Sequence, residues 1–224
     1  TTHMNAYMDE WVKLDLHFNG ILTGFLGSPE QISIVKRFLG LFKREDNITV
    51  VDPVMGDYGR LYPSYSPLLA QQMSSLVPYA DILTPNLTEA AFLLGRDYQE
   101  LPADEAGLRR VAEELSLGGK RSVALTGASL APGKTGAMCF DARTSRTEAV
   151  QTDFIAHPLH GTGDVFASVL TGALVKGVPL VDAAGQAVDF IHACAVRTVA
   201  QGLPLREGVD FEPLLGLLTD KEVL

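Results

Sequence analysis

Cysteine is nearly absent. Two residues, Cys139 and Cys194, stand far apart in 224, which excludes a disulfide-dense scaffold and any zinc site built on paired cysteines, and points to a reducing cytoplasm. Positive charge is also scarce. Lys and Arg number 18 against 27 Asp and Glu, a formal net charge of −9, so the chain lacks the basic surface that nucleic acid or anionic lipid demands. If phosphates bind, backbone dipoles and a metal ion must hold them. No apolar run approaches the roughly 20 residues that span a bilayer, and no charged segment followed by an apolar run marks a signal peptide. Repeats, linkers and low-complexity stretches are missing as well. What is present, 46% apolar and 20% charged residues, has the balance of a single globular domain over 1–224.

The hydrophobic pattern switches between two periods along the whole chain. Met4, Met8, Trp11 and Val12 share a helical face, and a β-rich run follows over Phe18–Thr23. Ser28-Pro29 reads as an N-cap and first helical residue, with Ile34, Val35, Phe38, Leu39 and Phe42 as the buried stripe. Ile48–Val51 is a continuous apolar strand ending at Asp52-Pro53, and the aperiodic stretch from Val54 to Pro63 predicts a loop. The alternation continues with a helical stripe (Leu69, Met73, Leu76, Val77), a strand over Asp81–Thr84 and a helix opened by Pro85-Asn86 and closed by Gly95. A further helix on Leu108 to Leu115 leads to a strand over Ser122–Thr126. Two β-like runs near 135–152 predict an antiparallel edge hairpin. Helices then follow from Gly161, over Leu180–Ala200, and over Phe211–Leu218 with Asp210 as N-cap.

Regular alternation of this kind implies a three-layer αβα sandwich around a mainly parallel sheet, whose ligands bind outside the carboxyl ends of the strands. Asp52, Asp57, Asn86, Glu89, Thr126 and Gly127 all follow directly on strands. A second feature is His160-Gly161-Thr162-Gly163-Asp164, where a glycine-bracketed loop becomes an apolar helix. The first turn of a helix offers unpaired N–H groups at a positive dipole end, and glycines let an anion approach them. An Asp in that turn is either ordinary dipole compensation or a base placed to take a proton from an attacking hydroxyl. Other residues carry two readings too. Asn86 with Glu89 has the spacing of a capping box, Asp57 fits a turn, and His157 and His160 suit loop capping. Ala128 to Thr135 has a relaxed Walker A spelling, but Thr135 leads into β-like sequence where a P-loop must enter a helix, so Lys134 is read as a solvated hairpin residue.

Thr23-Gly24-Phe25-Leu26-Gly27-Ser28, Asp52-Pro53-Val54-Met55-Gly56-Asp57, Thr84-Pro85-Asn86-Leu87-Thr88-Glu89-Ala90 and Gly161-Thr162-Gly163-Asp164 together resemble, in order, the motifs of the pyridoxal and pyridoxamine kinases of the ribokinase-like superfamily. The resemblance implies ATP-dependent phosphorylation of a vitamin B6 5′-hydroxymethyl group. It makes Asp164 the catalytic base, Gly161, Thr162 and Gly163 the anion hole, and Asp57 and Glu89 the acidic residues around Mg²⁺ or its waters. Asn86, Thr126 and Gly127 would contact the nucleotide; Phe25, Tyr62 and Asp52 would lie on the substrate side. A monovalent cation such as K⁺ and a homodimer are also implied. So are N-terminal strands that this sequence does not contain. Hydroxymethylpyrimidine kinase, a ribokinase-type sugar kinase and a non-catalytic sensor on the same scaffold are the alternatives.

Overall fold

A computed structural model describes residues 1–157, 159–202 and 208–219. The chain runs through α1 (Thr2–Lys13), β1 (Gly20–Thr23), α2 (Pro29–Phe42), β2 (Ile48–Val51) and a small hairpin of β3 (Gly56–Asp57) and β4 (Arg60–Leu61). It continues with α3 (Pro67–Met73), β5 (Ile82–Leu83), α4 (Leu87–Leu94), α5 (Glu105–Leu115), β6 (Ser122–Thr126), β7 (Lys134–Asp141) and β8 (Arg146–Asp153). Helices α6 (Thr162–Val175) and α7 (Leu180–Ala200) close the main body. Six strands form one sheet in the order β1-β2-β5-β6-β7-β8, and β3-β4 form their own. The first four strands are parallel; β7 and β8 return antiparallel at the edge, as the two β-like runs predict.

Strand alternation sorts the core into two layers. Val51, Leu83, Val123 and Leu125 face one side and pack with Met8, Leu39, Phe42, Met73 and Leu108 from the helices α1, α2, α3 and α5. Their neighbours Val50, Ile82 and Ala124 face the other side and pack with Phe166, Leu170 and the Ala-rich stripe of α7. Successive residues of a strand point to opposite faces, so a strand covered on both sides must be apolar throughout, as Ile48–Val51 is. Both layers end at the same place, the carboxyl ends of β1, β2, β5 and β6.

Local capping chemistry sets the helix boundaries. The Ser28 hydroxyl accepts from Gln31 N–H at 3.3 Å with Pro29 in the first turn, and Gly95 closes α4 in the left-handed conformation. Three predicted elements differ. The Val54–Pro63 loop contains the β3-β4 hairpin, whose two-residue strands are too short to show any periodicity. The Leu69 to Val77 stripe is not one helix: α3 stops at Met73 and a 3-10 segment over Ser74–Tyr79 carries Pro78, which cannot donate an α-helical bond. The final helix is 3-10 over Glu212–Leu218, and Asp210 does not cap it; its carboxylate accepts from Arg197 Nε at 2.7 Å. Lys134 opens β7 and pairs with Asp153 at 2.6 Å, so the Walker-like stretch runs into a strand. Cys139 and Cys194 are buried free thiols. Among the described residues no helix is long and apolar enough to cross a membrane.

Candidate active site

Asp52 extends β2 by one residue, its N–H donating to Thr23 O at 3.0 Å. The same pairing that continues the ladder draws its carboxyl inside, where it is 6% exposed. Burial pushes its pKa up to about 7, the charge of Asp164 adds to the rise, and the neighbouring Thr84 hydroxyl offsets part of it. Buried Thr23 and Thr84, at the ends of β1 and β5, have hydroxyls without a partner in ordinary hydrogen-bond geometry.

Glu89 lies one turn into α4 and is buried as well. Both readings of the Asn86-Glu89 pair meet in its geometry. Asn86 Oδ1 accepts from Glu89 N–H at 3.0 Å and Glu89 Oε2 accepts from Asn86 N–H at 2.8 Å, a complete capping box. The other oxygen, Oε1, accepts from Met55 N–H at 3.0 Å, reaching across 34 residues to the segment that enters β3. Burial, with the Asp52 charge and a smaller push from Asp57, raises the Glu89 pKa to about 8 against the two backbone donors. Asn86 Nδ2 donates to Gly56 O at 2.8 Å, so this side chain is engaged in holding the hairpin. Its backbone makes a parallel bridge to Thr126, which brings Thr126 and the exposed Gly127 alongside.

Helix α6 supplies an open helix start. Gly161 is its N-cap with φ +82°, a backbone conformation that glycine adopts without a Cβ penalty, and no side chain caps the first turn. Thr162, Gly163 and Asp164 therefore present their N–H groups outward, and the first intrahelical bond is Val165 N–H to Gly161 O at 3.0 Å. Asp164 is exposed, with Oδ1 beside Gly24 just past β1. Tyr62 ties the arrangement together: burial and the charges of Asp57, Glu89, Asp52 and Asp164 push its phenol up to about 12, so one side chain lies in the field of all four carboxylates. Phe25 is half exposed and meets Tyr65 edge-on at 5.6 Å, and the Tyr65 hydroxyl donates to Leu26 O at 2.7 Å. His157 and His160 are exposed.

Among the described residues no group of three His, Cys, Asp or Glu is placed to hold a metal ion. Mg²⁺ carried by a nucleotide needs only one or two protein carboxylates, the rest of its shell being phosphate and water. The exposed Asp57 suits that role, with Glu89 behind it. Four contributors escaped the sequence reading. Thr84 and Thr23 are ordinary strand residues until their hydroxyls prove buried. Met55 acts through its main chain, and Thr88 accepts from Gly59 N–H at 2.9 Å; all four lie inside motifs already singled out, but nothing in residue order marks these contacts.

An open helix start facing carboxylates at the end of a parallel sheet defines a ribokinase-like phosphoryl-transfer protein. Residues 5–208 match the profile of phosphomethylpyrimidine kinase, and the chain belongs to that family of kinases. The hydroxymethylpyrimidine/phosphomethylpyrimidine kinase of Rhizobium meliloti (strain 1021) is 32% identical over 195 residues, 85% of this chain and 68% of the relative. The pyridoxine kinase of Bacillus subtilis (strain 168) is 29% identical over 191 residues, 84% and 66% of the two chains. A Bacteroides thetaiotaomicron VPI-5482 protein, provisionally assigned as a phosphomethylpyrimidine kinase and crystallised with pyridoxal, overlays at a TM-score of 0.90. It is 35% identical, and the match covers 97% of this chain and 77% of that one. The chain thus spans about two thirds of the length of these curated relatives.

Proposed function

We propose that the protein transfers the γ-phosphoryl group of ATP to the 5′-hydroxymethyl group of a vitamin B6 compound. The observation that carries this reading is Asp164 in the first turn of an uncapped helix, beside the end of β1 and electrostatically coupled to buried Asp52. In that position its carboxylate takes the hydroxyl proton as the oxygen attacks phosphorus, and the N–H groups of Thr162 and Gly163 hold the transferring phosphoryl oxygens. Asp57 would hold Mg²⁺, which supplies neutralisation of phosphate charge. The Asp52 carboxyl with the Thr84 hydroxyl suits a monovalent cation in the same spirit. Tyr62 and Phe25 offer aromatic surface for a planar ring.

The B6 assignment draws support from the 35% identical protein that was crystallised with pyridoxal. The family profile and the Rhizobium meliloti relative favour hydroxymethylpyrimidine as the second reading. Both acceptors are aromatic heterocycles with a hydroxymethyl group, so the phosphoryl side of the site serves either. Relative kcat/KM for pyridoxal, pyridoxine, pyridoxamine and hydroxymethylpyrimidine decides between them. Preference for a B6 vitamer by tenfold or more is expected, and preference for hydroxymethylpyrimidine refutes the assignment.

A further inference from the structure

The β3-β4 hairpin carries Asp57 over the acidic centre, and its own fold is tight. A Cβ on Gly56 would fall 2.1 Å from Arg60 O, so only glycine permits the two strands to close. The tip residues Tyr58 (φ +50°) and Gly59 (φ +75°) both adopt left-handed conformations, which in a two-residue loop makes a type I′ turn. The base is anchored twice to the start of α4, by Met55 N–H to Glu89 and by Asn86 Nδ2 to Gly56 O. Beneath the hairpin lies a cavity of about 120 Å³ lined in part by Met55, Leu61, Thr88 and Phe92. Gly59 and Tyr98 also line it, and the Tyr98 ring lies so close to the tip that a Cβ on Gly59 would meet it at 2.8 Å. The tip's hydrogen bond to α4 runs from Gly59 N–H to the hydroxyl of Thr88, a residue only 7% exposed.

We infer that Thr88 is a positioning residue: its buried hydroxyl docks the hairpin tip onto the first turn of α4 and so sets where the Asp57 carboxylate stands above the phosphoryl-transfer centre. The kinetic part rests on the proposed function; the docking part does not. Thr88→Val replaces the acceptor with a methyl group of similar size and leaves Glu89, Asn86 and the capping box in place. In this variant amide hydrogen exchange over residues 56–61 is expected to speed about fivefold or more, the factor corresponding to one lost hydrogen bond of about 1 kcal/mol. KM for MgATP should rise by a similar factor, with KM for the acceptor alcohol unchanged. Thr88→Ser, which keeps the hydroxyl, is expected to restore both. Wild-type exchange in Thr88→Val overturns the docking. A kinetic loss that follows the melting temperature and is not restored by serine overturns the positioning role. If the wild-type protein phosphorylates none of the heterocyclic alcohols, the proposed function fails, and the exchange measurement still decides whether Thr88 docks the hairpin.

Discussion

Replacing Asp52 with Asn should stabilise the ligand-free protein above about pH 4, by an amount that grows until about pH 7. The carboxyl is held inside the sheet end with its pKa raised from an ordinary 3.8 to about 7. In the folded state it keeps a proton that the unfolded chain releases between those two values. Folding stability contributed by this group is therefore complete below about pH 4 and is lost as pH rises through about 7. At about 1.4 kcal/mol per pH unit the interval sets a ceiling of about 4 kcal/mol on the penalty at pH 8. Asparagine has nearly the shape of the protonated acid and no charge to bury. Urea unfolding of Asp52→Asn and wild type, without nucleotide or divalent cation, should give nearly equal stabilities at pH 4. The variant should gain steadily to an advantage of about 2–4 kcal/mol at pH 8. Glu89, raised by burial in the same sense, adds a similar pH dependence to both proteins, reduced in the variant because the Asp52 charge is gone. A stability difference that stays constant from pH 4 to pH 8 would refute the buried-acid reasoning, whatever its sign.

Asp164→Asn is expected to lower kcat by a factor on the order of 10² or more while ATP binding, followed by calorimetry, persists; near-normal turnover would remove Asp164 as the base. Tyr58→Asn places a residue that tolerates positive φ into the type I′ turn and should stabilise the fold by about 1 kcal/mol, about 2–4 °C in Tm. A lower Tm would show that the Tyr58 ring makes contacts that outweigh its backbone strain.

Features fixed by near neighbours and features fixed by the assembled chain divide along the range of the forces involved. Ser28-Pro29, Asn86 with Glu89, and Gly95 specify helix ends through atoms within four residues of one another, so the sequence alone determined them. The apolar runs of β2 and β6 likewise carried their own assignment, because burial on both faces leaves no place for alternation. The order of strands and helices followed, and with it the expectation that Asp52, Glu89 and Asp164 meet at one end of the sheet. Tertiary structure alone decided what those acids do there. The second oxygen of Glu89 finds Met55 across 34 residues, Thr88 finds Gly59 across 29, and Asp210 turns from its expected cap to Arg197. The raised pKa values of Asp52 and Glu89 come first from desolvation, which depends on what the rest of the chain packs around them. Hydrogen bonds between near neighbours are written in residue order, whereas the loss of water around a carboxyl belongs to the assembled molecule.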